Sequence, residues 1–394
     1  MIETDGKAPP ALDRFRRLAL IVGVAALAFC AIGAIFDATQ FFRSYLLAFI
    51  YWVAIAAGGL AILMLQHMSG GAWGLVIRRV LEAVTRTFPI LAVMFLPVAV
   101  GVTRIYPWAN RALVDQSPAL QHKSTYLNIG FFIGRAVFYF LIWNVLSYFL
   151  NKWSLEQDRT GDRYLTRKLQ VLSGPGLVLY GFTVTFASID WVMSLDPGWY
   201  STIFGILFMG GQGLSAMAFA ITVVVLLSNY KPMSGVIQPR HLHDLGKLML
   251  AFLMLWAYFA FSQFLLIWSG NLPEEVEWYA RRLHNSWKTI ALALVLLHFA
   301  LPFVLLLSRD LKRNGRTISM VAIAILVMRY VDLYWMTGPE FHEGRFTISW
   351  MDLLMPFGIG GVWLWFFAGE LKTRPLVPVQ DPYLEEALSH SAGH

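Results

Sequence analysis

Five charged residues stand inside apolar stretches of this 394-residue chain, where a charge is costly. Asp190 belongs to the run Phe186 to Gly205, which turns at Asp196-Pro197-Gly198 and then enters a further apolar stretch. Arg135, Arg329, Asp332 and Asp352 occupy similar settings, all on the outer side of the topology derived below. A carboxylate deep in a membrane helix costs about 2.5–3.5 kcal/mol on insertion scales, so it needs a partner or a task. Arg329 and Asp332 are spaced i, i+3 and share a helix face, where they can pair. Arginine does not release its proton, so proton transfer through such a group falls to the carboxylates. Two chemistries follow: a polar pocket or proton-relay element open toward the outer face, or structural ion pairs that lock helices together.

Histidine supplies the other candidates, because it titrates near neutrality. His298 is the only one of nine in the middle of an apolar span. His67, after Gln66, precedes Ser69-Gly70-Gly71 at a helix end. His241, His243, Asp244 and Lys247 cluster at the start of another span. Tyr258, Ser262 and Gln263, with Tyr139 and Ser147, could extend a polar line between the two sides. Against this stand plainer readings: His298 as a packing residue and His67 as a cap on helix carbonyls.

The elements that must position these groups are membrane helices. The chain is 57% hydrophobic and 14% charged, with mean hydropathy +0.58, where a soluble domain has about 45–50% and 25%. Ten apolar spans fall near 18–36, 45–67, 88–105, 127–149, 175–194, 200–228, 247–269, 287–307, 318–337 and 348–369, each long enough to cross ~30 Å of hydrocarbon. Of the 31 Lys and Arg, 21 lie on the side of the N-terminus, 8 on the other and 2 within spans. The positive-inside rule then places both termini in the cytoplasm. The net charge of +7 is accordingly topological and points to no nucleic-acid partner.

The expected organisation is an all-α integral membrane protein with a cytoplasmic tail at 1–17, a ten-helix transmembrane domain at 18–370 and a cytoplasmic tail at 371–394, acidic through Asp381, Glu385 and Glu386. Ile189-Asp190-Trp191 in span five is echoed by Val331-Asp332-Leu333 in span nine, a spacing of four spans. Two four-helix bundles, spans 2–5 and 6–9, explain that spacing and leave helices 1 and 10 peripheral. Residues 151–174 read as the longest cytoplasmic loop, ending in an amphipathic surface helix. The outer loops 106–126 and 270–286, rich in Trp, Tyr, Asn and Glu, read as a partner's docking face or as interfacial anchors.

Composition also limits the chemistry. One cysteine, Cys30, forms no intrachain disulfide, iron–sulfur ligand set or Cys-x-x-Cys-His haem attachment. The histidines do not supply two axial pairs at matched depths for a di-haem protein. Gly210-Gly211-Gln212-Gly213 lies in an apolar span without a Walker lysine and reads as close helix packing.

The run Phe186 to Gly205 resembles the signature of the ActF membrane subunits of bacterial alternative complex III, which are similar to NrfD/polysulfide-reductase membrane subunits. Leu65 to Gly74, Arg78 to Glu82, and His243 to Lys247 continuing through Phe261 to Phe264, Ile267-Trp268 and Pro273 to Glu275 support the resemblance, which covers most of 18–370. It implies a subunit of a quinol:cytochrome c (or cupredoxin) oxidoreductase in the bacterial inner membrane. Such a subunit holds no metal or redox cofactor of its own, and quinone or lipid are its implied ligands. Its implied partners are an ActC-like sister membrane subunit, iron–sulfur and haem c subunits, membrane lipids and a terminal oxidase. The sister subunit carries histidine where this chain has Tyr200, which separates the two and argues against quinol oxidation in this chain. The residues expected to serve a proton path are Asp190, Arg135, Arg329, Asp332 and Asp352 outside, His298 centrally, and His67, His243, Asp244 and Lys247 at the entry. Two other functions compete: a secondary transporter with a midplane site, which broken helices in corresponding halves would mark, and a purely structural membrane anchor.

Overall fold

A computed structural model describes residues 9–342, 345–378 and 380–382. It is 84% helical, without strands among the described residues. Among the described residues, ten helices are long and apolar enough to cross a membrane: α1 (Ala11–Phe36), α2 (Ala38–Ser69), α3 (Leu75–Val100), α4 (Ile129–Thr160), α5 (Arg163–Leu195), α6 (Phe204–Leu227), α7 (Pro239–Gly270), α8 (Trp287–Leu307), α9 (Gly315–Phe341) and α10 (Trp350–Leu371). An even number of crossings puts the start of α1 and the end of α10 on one face, called here the terminal face.

The bundle topology follows the expected spacing. Helix α5 packs on α2 and α4, and α3 on α2 and α4; α6 packs on α7 and α9, and α8 on α9 and α7. The two bundles meet where α2 crosses α6. At that crossing a Cβ on Gly58 would lie 2.1 Å from the backbone oxygen of Gln212, so only glycine permits the approach. Helices α1 and α10 stand outside both bundles, α1 against α10 and α10 against α2. Burial ranks the helices: the apolar window of α2 is 89% buried, those of α1, α7 and α8 only 22%. Helix α2 is the central post, α6 follows at 78%, and α1, α7 and α8 leave the most apolar surface exposed.

Helix ends depart from the apolar limits, since local capping rather than hydropathy sets them. The expected loop 151–174 is helix: α4 and α5 project beyond the apolar stretch and join through Gly161-Asp162. Gly161 takes a left-handed φ of 65° and the Asp162 side chain accepts the Tyr164 N–H at 2.8 Å, so a stop and a start are adjacent. Helix α3 begins at Leu75, well before the expected 88, and its α-helical hydrogen bonding is interrupted around Arg86-Thr87, just ahead of Pro89. The C-terminal segment is not a free tail where it is described: Leu376 and Val377 are buried and Asp381 pairs with Arg78. Glu385 and Glu386 lie outside the described residues.

Candidate functional site

The charges form separate groups at three depths. Near the end of α5, Asp190 is fully buried and both of its oxygens are occupied. Arg135 of α4 donates from Nε to Oδ2 and from Nη2 to Oδ1, each at 2.8 Å, and Tyr139 Oη donates to Oδ2 at 2.7 Å. The remaining Arg135 donor reaches the carbonyl of Tyr126 at 2.9 Å, and the guanidinium lies 3.8 Å from the Tyr126 ring centroid and 4.4 Å from that of Phe131. A two-pronged pair of this kind is the strongest way to hold a carboxylate in a low-dielectric site.

The turn that follows is clamped from two loops. Asp196 Oδ1 accepts the Gly198 N–H at 3.1 Å, Asp196 Oδ2 pairs with Arg281, and Lys123 donates to the Pro197 carbonyl. Arg281 and Arg282 each reach Glu340 at the end of α9 at 2.9 Å. Arg282 lies 3.5 Å over Trp278, which stacks on Trp199 at 4.7 Å. Burial lowers the Arg282 pKa to about 10 despite Glu340. For Arg281 burial is opposed by Glu340 and Asp196, which hold its guanidinium above the ordinary value. The helix Pro273–Leu283, in the loop expected as a docking face or as interfacial anchors, thus fastens the α5–α6 turn to α9. The i, i+1 arginines and the lone Glu340 gave no periodic signal of this.

At mid-depth, Arg329 and Asp332 pair along one face of α9, and both are buried. A Cβ on Gly211 would lie 2.2 Å from Arg329 Nη2, so the glycines of α6 provide the slot in which the guanidinium lies. Trp256 of α7 interacts with Asp332 and meets the His298 ring edge-on at 4.2 Å between centroids. His298 has no exposed surface, and neither ring nitrogen has a hydrogen-bond partner among the described residues. It sits in a π-helical stretch, Leu294–Ala300. The cause lies four residues on: Pro302 offers no N–H to the His298 carbonyl and crowds it, and the chain widens there.

Asp352 does not join either pair. It caps α10, accepting Ser44 Oγ at 2.6 Å, Gln40 Nε2 at 3.0 Å and the Ser349 N–H at 2.9 Å. All three donors are uncharged. The five intramembrane charges read together from the sequence are therefore two ion pairs and one capping carboxylate.

Toward the terminal face, His67 is buried with Nε2 unbonded, in the field of Arg78, Glu82 and Arg79. His243 Nδ1 lies 3.8 Å from Asp244 Oδ1 and Lys247 Nζ 3.2 Å from the same oxygen, with Asp244 and Lys247 about half exposed. The expected polar line is not continuous. Tyr258 is 64% exposed on the lipid side, Ser147 bonds the Thr85 carbonyl, and Gln263 pairs with Ser201 and Tyr279 at the opposite face. Among the described residues no side-chain hydrogen bond links the three depths.

A fourth group went unrecognised because span three was started at 88. Glu82 is fully buried and receives Arg79 at 2.6 Å, Arg78 at 3.1 Å, Arg374 at 3.3 Å and Ser154 Oγ at 2.5 Å. Arg78 also pairs with Asp381 and Arg79 with Asp158. Three guanidiniums and three carboxylates balance, and they join α3, α4 and the C-terminal segment. Burial lowers the Arg374 pKa, against the attraction of Glu82. The spacing of Arg78, Arg79 and Glu82, i+3 and i+4, was the available signal.

Among the described residues, no group of three or more His, Cys, Asp and Glu converges as a metal site. No family model matches the chain, and no curated protein matches it.

Proposed function

We propose that this chain is a membrane subunit, without a redox centre of its own, of a bacterial quinol:cytochrome c (or cupredoxin) oxidoreductase, and that it handles protons through its buried polar residues. One observation carries the proton-handling part: His298, an imidazole with two unbonded nitrogens, sits at the centre of α8 against Trp256, which also contacts Asp332. A proton acceptor without partners in a π-helical turn at membrane depth is costly to keep for packing alone, and such residues and turns concentrate at functional sites. In this reading His298 and Asp332 exchange the proton at mid-depth. Arg329 holds Asp332 in place, and Arg135, Asp190 and Asp352 form the outward end. His67, with His243, Asp244 and Lys247, forms the cytoplasmic entry, both termini being cytoplasmic. Water or a quinol head group bridges the gaps between depths. The resemblance of Phe186 to Gly205 to the ActF signature carries the assignment to the complex, with its iron–sulfur, haem c and sister membrane subunits.

One competing reading has a specific observation behind it. The fully satisfied Asp190 and the capping Asp352 have what a structural anchor requires. The transporter reading lacks such support, because the interruption of α3 and the π-helical stretch of α8 fall in spans that do not correspond in the four-span repeat.

Extraction of native membranes in a mild detergent, with an affinity tag on this chain, tests the assignment. The expected result is copurified haem c and iron–sulfur absorbance with quinol:cytochrome c reductase activity. A stable monomer free of haem contradicts it.

A further inference from the structure

The projecting ends of α4 and α5 enclose an open groove of about 280 Å³ at the terminal face. Its lining is ordered along α5. Tyr164, Arg167 and Lys168 stand in the first two turns, and Val171, Leu172 and Pro175 follow on the same face at helical spacing. Trp153 closes the α4 side. From Arg167 to Pro175 the axial rise is roughly 12 Å, so cationic groups stand at the mouth and apolar groups a head-group length deeper. No acidic residue lines the groove; of the nearby acids, Asp158 pairs with Arg79, Asp162 caps α5, and Glu156, one turn from Trp153 on α4, is exposed outside the lining.

The Lys168 ammonium lies 5.0 Å from the Tyr164 ring and 6.0 Å from the Trp153 ring, which hold it over the groove. Arg167 is exposed and has no carboxylate partner among the described residues. Val171 is 59% exposed, an apolar side chain without cover on the lower wall of the groove. A soluble anion would use the cations and leave the lower wall bare. A zwitterionic lipid would cover the wall and bring a second cation to Arg167 and Lys168. A phosphodiester carrying net negative charge above acyl chains satisfies both halves.

The geometry points to a binding site for one anionic phospholipid in the α4–α5 groove, with its phosphate on Arg167 and Lys168 and its first acyl carbons against Val171, Leu172 and Pro175. The test is native mass spectrometry of the delipidated full chain, or of the assembly that contains it, titrated with phosphatidylglycerol or with phosphatidylcholine of the same acyl chains. Phosphatidylglycerol should bind the wild type more tightly. Arg167→Gln with Lys168→Gln should weaken it about twenty-five-fold, each cation contributing about a factor of five, and bring it level with phosphatidylcholine. Lys152→Gln with Arg159→Gln, basic residues of the same face outside the groove, should leave the affinity within threefold. Arg167→Gln alone, on an exposed helix surface, serves if the double variant does not fold, and should lose about fivefold. Equal binding of the two lipids, an unchanged affinity in the groove variants, or displacement by glycerol phosphate at lipid-like concentration overturns the proposal.

Discussion

Replacing Asp190 by leucine removes the acceptor of three hydrogen bonds at a fully buried position, and the cost can be worked through partner by partner. Arg135 loses both bonds to the carboxylate and keeps only the Tyr126 carbonyl and the two aromatic faces. Tyr139 loses its acceptor outright. Breaking one side of a buried pair costs about 3–5 kcal/mol, and the aromatic faces return about 1 kcal/mol or more to the stranded guanidinium. The expected loss for Asp190→Leu is therefore about 3 kcal/mol. Arg135→Met with Asp190→Leu removes the stranded charge, leaves the Tyr139 hydroxyl unpaired, and should cost about 1–2 kcal/mol. The double variant then loses less than the sum of the singles, by the Arg135→Met cost plus about 1–2 kcal/mol. Unfolding of each variant in mixed detergent–dodecyl sulfate micelles, followed by the fluorescence of the chain's 15 tryptophans, measures all terms. A single-variant cost below about 1 kcal/mol, or a double variant equal to the sum of the singles, refutes the reasoning.

Three further outcomes follow from the same contacts. Gly211→Ala drives a methyl into the buried, Asp332-tethered guanidinium of Arg329 and should cost about 1–3 kcal/mol; Gly181→Ala, with nothing within 4 Å, should be neutral or slightly stabilising in the same unfolding assay. Glu82→Gln leaves Arg78, Arg79 and Arg374 without their shared carboxylate; a loss of about 3–5 kcal/mol should come with faster limited proteolysis at 372–378 than in wild type. Burial, joined by Arg43 and opposed by Asp352 and Asp37, lowers the His342 pKa below 6.5. The unfolded chain therefore takes up its proton first, so stability present above pH 6.5 declines as pH falls toward the folded value. His342→Gln should flatten that acid slope of the unfolding midpoint, and an identical slope contradicts it.

What could be read from the sequence followed from periodicity and from cost. The ten spans were legible because apolar runs of bilayer length have few alternatives, and the bundle spacing because Asp190 and Asp332 repeat in helices that both run away from the terminal face. The pairing of Arg329 with Asp332 follows from i, i+3 geometry. Helix limits were not legible, since Gly161, Asp162 and Asn314 end and begin helices through backbone and cap geometry that hydropathy does not register. Asp352 was misgrouped for a related reason: its partners Ser44, Gln40 and Ser349 are uncharged and resemble many other polar residues. The Glu82 group and the Arg281–Glu340 latch depend on which helix ends meet. Beyond the local spacing of Arg78, Arg79 and Glu82, that is long-range information, present in no single window. His298 shows the intermediate case, in which Pro302 four residues later marked the local widening while the loneliness of the imidazole required the packed helices.

The most direct test of proton handling is the ratio of protons released to electrons transferred when the purified assembly, reconstituted in vesicles, oxidises quinol with His298→Phe in this chain. The account predicts a fall in that ratio with haem and iron–sulfur content unchanged, and a smaller fall for Asp190→Asn. An intact assembly with the wild-type ratio in His298→Phe contradicts it.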